Sequence, residues 1–397
     1  MSRGRSLALA ASLVVAARLI LGAWAIIVPQ FRPPAEPPAA VGSAYLGAPR
    51  LEDGFSGALL GPWQRFDTQR YVRIAREGYV APDDSHYPPL YPLLIRVGAA
   101  PFGSSPASRM FAALAVATLA AFGAFYLLHR LALREIEPRS AGYAVLLYAT
   151  FPMSFFLFAG YSESLFIFLC LASFLSARDG RFGAAGGLGA LASMTRLTGW
   201  VLMLPIAWEA FVRWRRRSAD ATASANRDLS LRLVAALLPA LATAGFLVLR
   251  RTMGFEALDV TFAKYWARTP GIPGQDLITA MNTLFLGGEA RAGQLPVLWV
   301  DFAAVSGMLV SIPFVFRRLG ASFGLYSVGI LFFLLLATSD VLPLYSVARY
   351  VLPIFPPFLI LGSAIGRRRL LARGLPVVSL SLWLLFSGLF FSRNWVG

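Results

Sequence analysis

Residues 63–96 read WQRFDTQRYVRIAREGYVAPDDSHYPPLYPLLIR, a charged stretch in a chain that is otherwise mostly apolar. Its first part, 63–78, has the spacing of an amphipathic helix, and Gly78-Tyr79 turns it. Beyond the turn come Asp83, Asp84 and His86, one of the chain's two histidines, then the run Tyr87-Pro88-Pro89-Leu90-Tyr91-Pro92. So many polar groups have no place in hydrocarbon. The stretch belongs at a membrane face, and chemistry is expected where such groups gather.

The rest of the chain supplies the membrane. Of 397 residues, 57% are hydrophobic and 14% charged, against roughly 25% charged in soluble domains. Mean hydropathy is +0.64. Several apolar runs approach or exceed the ~18–20 residues that cross a bilayer, so the chain reads as an all-α polytopic membrane protein. The net charge of +16 is nearly all arginine, with Lys264 the only lysine. Those arginines cluster between apolar runs, which is the positive-inside pattern and points away from nucleic acid. A single cysteine, Cys170, excludes an internal disulfide and reads as a small buried hydrophobe.

Charge parity orders about eleven helices, at 7–28, 108–128, 141–158, 164–176, 182–194, 197–212, 233–249, 296–316, 321–338, 349–365 and 375–391. One integral-membrane domain spans 1–397, with the N-terminus in the cytoplasm. Outer loops are expected at about 29–106, 250–295 and 339–347, and a polar cytoplasmic linker at 213–232. The run 182–212 is the difficult one. Taken as a single tilted helix, it would put Arg213, Arg215, Arg216 and Arg217 outside. Broken at Thr195-Arg196 into two short helices, it keeps them inside and brings Arg196 near the outer face.

Within 63–78, Asp67 shares a helix face with Tyr71, Ile74 and Gly78. Trp63 and Phe66 suit the headgroup level. Arg65, Arg70, Arg73 and Arg76 are expected to face headgroups, phosphates or water. Two readings stay open from the residues alone. The helix only packs on the bundle, or Asp67 points into a surface cavity, where a carboxylate held by arginines accepts a proton. Asp83, Asp84 and His86 read as a solvated loop rather than a metal site. Lys264-Tyr265-Trp266 reads as an interfacial aromatic belt or the lining of a lipid path.

Trp63, Asp67, Tyr71, Ile74-Ala75 and Gly78-Tyr79, followed by Pro89-Leu90-Tyr91-Pro92-Leu93-Leu94, form a pattern. It resembles the PIG-V-like (GPI mannosyltransferase 2-like) integral-membrane mannosyltransferases of the GT-C glycosyltransferase superfamily. Further segments agree in order: Phe151-Pro152 with Phe155-Phe156, Tyr161-Ser162-Glu163-Ser164, Thr195-Arg196-Leu197-Thr198-Gly199, and Ser346-Val347-Ala348-Arg349-Tyr350. Two positions depart from the family. Phe66 stands where a Trp often precedes the acid, and Tyr87-Pro88 where Phe-Phe often precedes Pro-Leu-Tyr-Pro.

The resemblance implies a GT-C-like bundle with an amphipathic interfacial helix in the first outer loop. It implies an inverting transfer of a hexose, mannose first, from a polyprenyl-phosphate sugar to a lipid-linked or glycan acceptor. Neither cofactor nor metal is expected. Asp67 would be the base, and Arg349 and Arg196 would hold the donor phosphate. Tyr71, Tyr161, Glu163, Tyr350, Asp340 and His86 would line the substrate pocket. The setting would be a bacterial plasma membrane, with the site on its extracytoplasmic side and membrane lipids around it. A lipid-linked sugar transporter or flippase remains an alternative, as does a non-catalytic subunit of a membrane complex. A transporter would show paired broken helices in two related halves, and the sequence offers one break and no repeat.

Overall fold

The computed structural model describes residues 3–32, 45–217, 223–288, 294–339, 341–366 and 368–396, with no account of the side chains of 217, 223–226 and 369. The chain forms two compact units, Met1–Phe168 with Leu361–Val396, and Leu169–Ile360.

The first unit opens with α1 (Arg3–Phe31), followed by α2 (Gly54–Leu60), α3 (Asp67–Glu77), α4 (Leu90–Ala99), α5 (Pro106–Glu135) and α6 (Pro138–Thr150). Ser105 caps α5 by accepting the Ser108 N–H at 3.0 Å, and Pro106 takes the first turn, where a missing N–H is harmless. α6 stops at Thr150 because Phe151 precedes Pro152 and is driven to an extended ψ of 139°. The chain enters the second unit inside α7 (Glu163–Arg178) and leaves it inside α16, closing with α17 (Arg369–Phe391). The core of the first unit stacks Phe155 on Phe156 (4.3 Å) and Phe156 on Tyr161 (5.1 Å), with Phe390 edge-on.

The second unit holds α8 (Phe182–Ser193), α9 (Met203–Arg217), α10 (Ala223–Thr252), α11 (Leu258–Trp266), α12 (Gln275–Phe285), α13 (Leu295–Leu319), α14 (Ala321–Leu335), α15 (Val347–Tyr350) and α16 (Pro356–Ile365). α8 lies hard against α10. A Cβ at Gly186 would sit 2.1 Å from the Ala235 carbonyl oxygen, and one at Gly189 2.6 Å from the Pro239 ring. Small residues permit this approach, as they do between membrane helices generally. Two short strands, β1 (Arg268–Pro270) and β2 (Ala337–Ser339), pair antiparallel with Arg268 opposite Ser339. Phe174, Phe323, Tyr326 and Phe355 form the aromatic centre of this unit.

Among the described residues, five helices are long and apolar enough to cross a membrane: Arg3–Phe31, Pro106–Glu135, Arg227–Thr252, Leu295–Leu319 and Leu370–Phe391. Other expected spans are shorter or interrupted. The run 182–212 breaks at Thr195-Arg196, and a 3₁₀ turn, Leu197–Leu202, separates α8 from α9. The helix expected at 141–158 ends eight residues early, at Thr150. The one expected at 349–365 is split by turn and irregular residues at 351–355, and 337–338, expected as the end of a helix, lie in a strand. The stretches expected as outer loops contain helices of their own, and the expected linker 213–232 is helical at both ends. The helix expected from Trp63 begins at Asp67.

Candidate functional site

The start of α3 is built by strain. Phe66 has φ 44° and ψ −123°, a region that a side chain with a Cβ rarely adopts. Such a residue costs about 1–3 kcal/mol and persists only where its surroundings over-determine it. Here its ring packs on Phe390 (5.7 Å) and edge-on to Trp395 (4.8 Å). Next to it, Arg65 is 7% exposed and donates to the carbonyls of Gly61, Gln64 and Phe391. Burial, with Arg50 near, lowers its guanidinium to about 10. The result places Asp67 as the first residue of α3, where the helix dipole favours negative charge.

Asp67 is 8% exposed. Its Oδ1 accepts the Tyr87 hydroxyl at 2.9 Å, and its backbone N–H donates to the Tyr161 hydroxyl at 3.3 Å. Tyr71, one turn on, shares a 2.7 Å hydrogen bond with Ser162 and packs edge-on to Tyr87 and Tyr91. Glu163, the first residue of α7, is 1% exposed. His86 lies against the Tyr87 ring at 3.8 Å. Burial, then the Asp67 carboxylate, raises the Tyr87 hydroxyl well above its ordinary value, so it stays a donor. Five of the expected residues, Asp67, Tyr71, Tyr161, Glu163 and His86, thus belong to one polar cluster or its immediate support, and Tyr87 joins them.

Two expectations fail here. Asp84 is buried and Asp83 largely so, and Arg70 and Arg73 turn to these carboxylates. Arg73 bonds Asp83 at 3.0 Å and Asp84 at 2.6 Å, and Arg70 pairs with Asp83. Asp84 is fully buried and also caps the Ala81 N–H at 3.1 Å. Three residues apart on α3, the two arginines share a face that closes on this turn. The carboxylates and arginines therefore fix the loop that carries Tyr87. Tyr79 adds a 2.7 Å bond to the Tyr87 carbonyl.

Arg18 also went unread. It sits in the middle of α1, donating to Thr118 and, at 3.0 Å, to the Leu114 carbonyl, with its guanidinium over Trp63 and Phe158. An arginine within an apolar run is itself a signal.

The second unit has a separate cationic cluster. Arg196, Arg349 and Arg268 lie over one ring, that of Tyr350, at 5.3, 5.0 and 4.9 Å. Arg349 is 2% exposed. Arg196 and Arg349, both expected at the donor phosphate, meet over the Tyr350 ring. Arg268, at the head of β1, is new. Its guanidinium also donates to the Tyr345 carbonyl. Nothing in the sequence near Arg268 signals this, because β1 reaches the segment before Arg349 only through its pairing with β2. Three guanidiniums in one place suit a phosphate, which they can hold by bidentate forks. Asp340 lies outside the described residues. Lys264 reaches Glu256 at 3.8 Å and covers the Tyr265 ring.

A family model described as Mannosyltransferase (PIG-V) matches residues 13–239. The chain belongs to the PIG-V mannosyltransferase family. The matched part includes Asp67, Tyr161, Glu163 and Arg196, and ends before Arg268 and Arg349. GPI alpha-1,6-mannosyltransferase 2 of Rattus norvegicus is 34% identical over 153 residues, 36% of this chain and 31% of the rat protein. The Homo sapiens counterpart is 30% identical over 152 residues, again 36% of this chain and 30% of its own. The chain thus spans about a third of the length of these curated relatives. In fold, it is similar to ArnT from Cupriavidus metallidurans bound to undecaprenyl phosphate, a GT-C structure. That likeness covers 96% of this chain and 76% of ArnT, with a TM-score of 0.51 and 14% identity.

Proposed function

We propose that this PIG-V family member is an inverting glycosyltransferase using a polyprenyl-phosphate sugar. It moves a hexose, mannose by its family's name, to an acceptor hydroxyl at the outer, non-cytoplasmic face of the membrane. The observation that carries this reading is the carboxylate of Asp67, buried at the first turn of a helix and held by a tyrosine that stays protonated. Asp67 takes the proton of the acceptor hydroxyl as that oxygen attacks the anomeric carbon. The bond from the anomeric carbon to the phosphate oxygen breaks, and polyprenyl phosphate leaves. Arg349, Arg196 and Arg268 take up its developing negative charge. Tyr71, Glu163 and His86 shape the acceptor side, and Tyr161 steadies the Asp67 backbone. Tyr350 and Asp340 serve the donor side.

The topology that goes with this reading is about eleven crossings, with Arg196 outward and Arg217 in the cytoplasm of a bacterial plasma membrane. Reporter fusions after Thr195 and Arg217 test it, and an outward Arg217 overturns it. The activity is tested in membranes carrying the wild-type chain or Asp67→Asn, given radiolabelled polyprenyl-phosphomannose. Equal incorporation by both removes Asp67 as base. No incorporation from any polyprenyl-phosphate sugar removes the enzyme reading.

A further inference from the structure

Arg349 and Tyr350 follow a segment whose backbone is held in an uncommon shape. Leu344 and Ser346 both have positive φ, 58° and 66°, with no glycine between them. Two carboxylates from other elements fasten this segment. Asp276 of α12 accepts the N–H groups of Ser339 and Leu344 with one oxygen, each at 3.1 Å. Asp301 of α13 accepts the Ala348 N–H at 2.6 Å.

Asp301 is an unusual residue for its place. It is fully buried in a helix otherwise apolar enough to cross a membrane. Its second oxygen has no hydrogen-bond partner among the described residues. A buried ionisable group of this kind is expensive and is kept for a purpose. Arg268 lies within electrostatic reach of it. Asp301 therefore meets the cationic cluster twice, through the backbone that leads into Arg349 and through the charge of Arg268.

We propose that Asp301, with Asp276 as a second fastening, is a positioning residue for the phosphate ligand. It locks residues 344–348 in the strained shape that sets Arg349 and Tyr350 among the guanidiniums. This rests on the reading of Arg349 as a phosphate ligand, so the two must be tested apart.

The test uses the purified full chain in detergent and two radiolabelled probes, undecaprenyl phosphate and neutral undecaprenol. Asp301→Ala is expected to weaken undecaprenyl phosphate binding about tenfold or more, since the buried acceptor of the Ala348 N–H is lost. Undecaprenol binding should be unchanged, which a general folding defect would not allow. Asp301→Asn keeps an oxygen for the Ala348 N–H and should bind the phosphate within about threefold of wild type. Asp276→Ala should weaken phosphate binding in the same selective way. Arg349→Ala separates the two ideas. If it leaves phosphate binding intact, the reading of Arg349 falls. If it weakens binding while a monodisperse Asp301→Ala does not, the positioning role falls and the reading of Arg349 stands. Asn performing as badly as Ala at 301 overturns the hydrogen-bond account. Where Asp301→Ala yields no monodisperse protein, wild-type phosphate binding by Asp276→Ala overturns the proposal.

Discussion

Replacing Tyr87 by Phe removes a single oxygen. The ring keeps its edge-on contact with Tyr71 at 4.8 Å and its contact with His86 at 3.8 Å. The Tyr79 bond to the residue 87 carbonyl is untouched. What disappears is the 2.9 Å hydrogen bond to Asp67 Oδ1. A hydrogen bond to a charged group contributes about 1.5–3 kcal/mol. At about 1.4 kcal/mol per factor of ten, its loss lowers kcat/KM by about 12- to 140-fold if the bond holds Asp67 in its working orientation. Removing the base outright, as in Asp67→Asn, should cost on the order of 10²–10⁴. Tyr87→Phe should therefore fall between wild type and Asp67→Asn, and the loss should lie in kcat rather than in the KM for donor. Initial rates with radiolabelled polyprenyl-phosphomannose over a range of donor concentrations measure both. A Tyr87→Phe enzyme within about twofold of wild type, beside an inactive Asp67→Asn, would refute the claim that this bond orients the base.

Phe66→Gly and Phe66→Ala both lose the ring, but only glycine accepts φ 44° freely. Phe66→Gly should be the more stable of the two by about 1–2 kcal/mol in chemical unfolding, after the larger chain entropy of glycine is subtracted. Gly186→Ala should destabilise the protein by about 1–3 kcal/mol or more, because the new methyl meets a backbone carbonyl. Gly187→Ala, with open space around its Cβ position, should not, and thermal unfolding of the two variants separates them. The folded state raises the hydroxyls of Tyr79 and Tyr87 above their unfolded value near ~10. Their contribution to stability is thus complete below about pH 10 and lost as pH rises beyond it. Unfolding midpoints should be flat below about pH 9.5 and fall above about pH 10, less steeply in Tyr87→Phe.

The helices that were legible in the sequence were those fixed by composition. The apolar runs behind α1, α5, α10, α13 and α17 could be read directly, although α5 and α10 extend well beyond their apolar parts. The break at Thr195-Arg196 was legible because Arg213 to Arg217 made an unbroken helix costly under the charge rule. Asp67, by helix spacing and family pattern, and Arg196 and Arg349, by the family pattern, were legible as candidates. The support around these residues was not. Phe66 gives no sign of its positive φ, since a bulky aromatic argues against one. Asp83 and Asp84 looked solvated because their partners, Arg70 and Arg73, lie across a turn whose direction the sequence leaves open. Arg268 and Arg349 are far apart in sequence, and their meeting depends on a three-residue strand pair that no periodicity announces. Asp301 could have been flagged as a lone acid in an apolar helix, but its partner, the Ala348 N–H, could not.

Arg18 has a consequence for how the chain is made. Its bond to Thr118 joins residues 100 positions apart. At roughly 5–20 residues per second, synthesis reaches Thr118 about 5–20 seconds after Arg18. During that interval the first helix carries an arginine near its centre with no α5 to receive it, at an insertion cost of about 3 kcal/mol. The leucines, isoleucines and valines around Arg18 must outweigh that cost alone. The hydrophobicity of α1 is therefore set by the moment of its insertion as well as by its place in the finished protein.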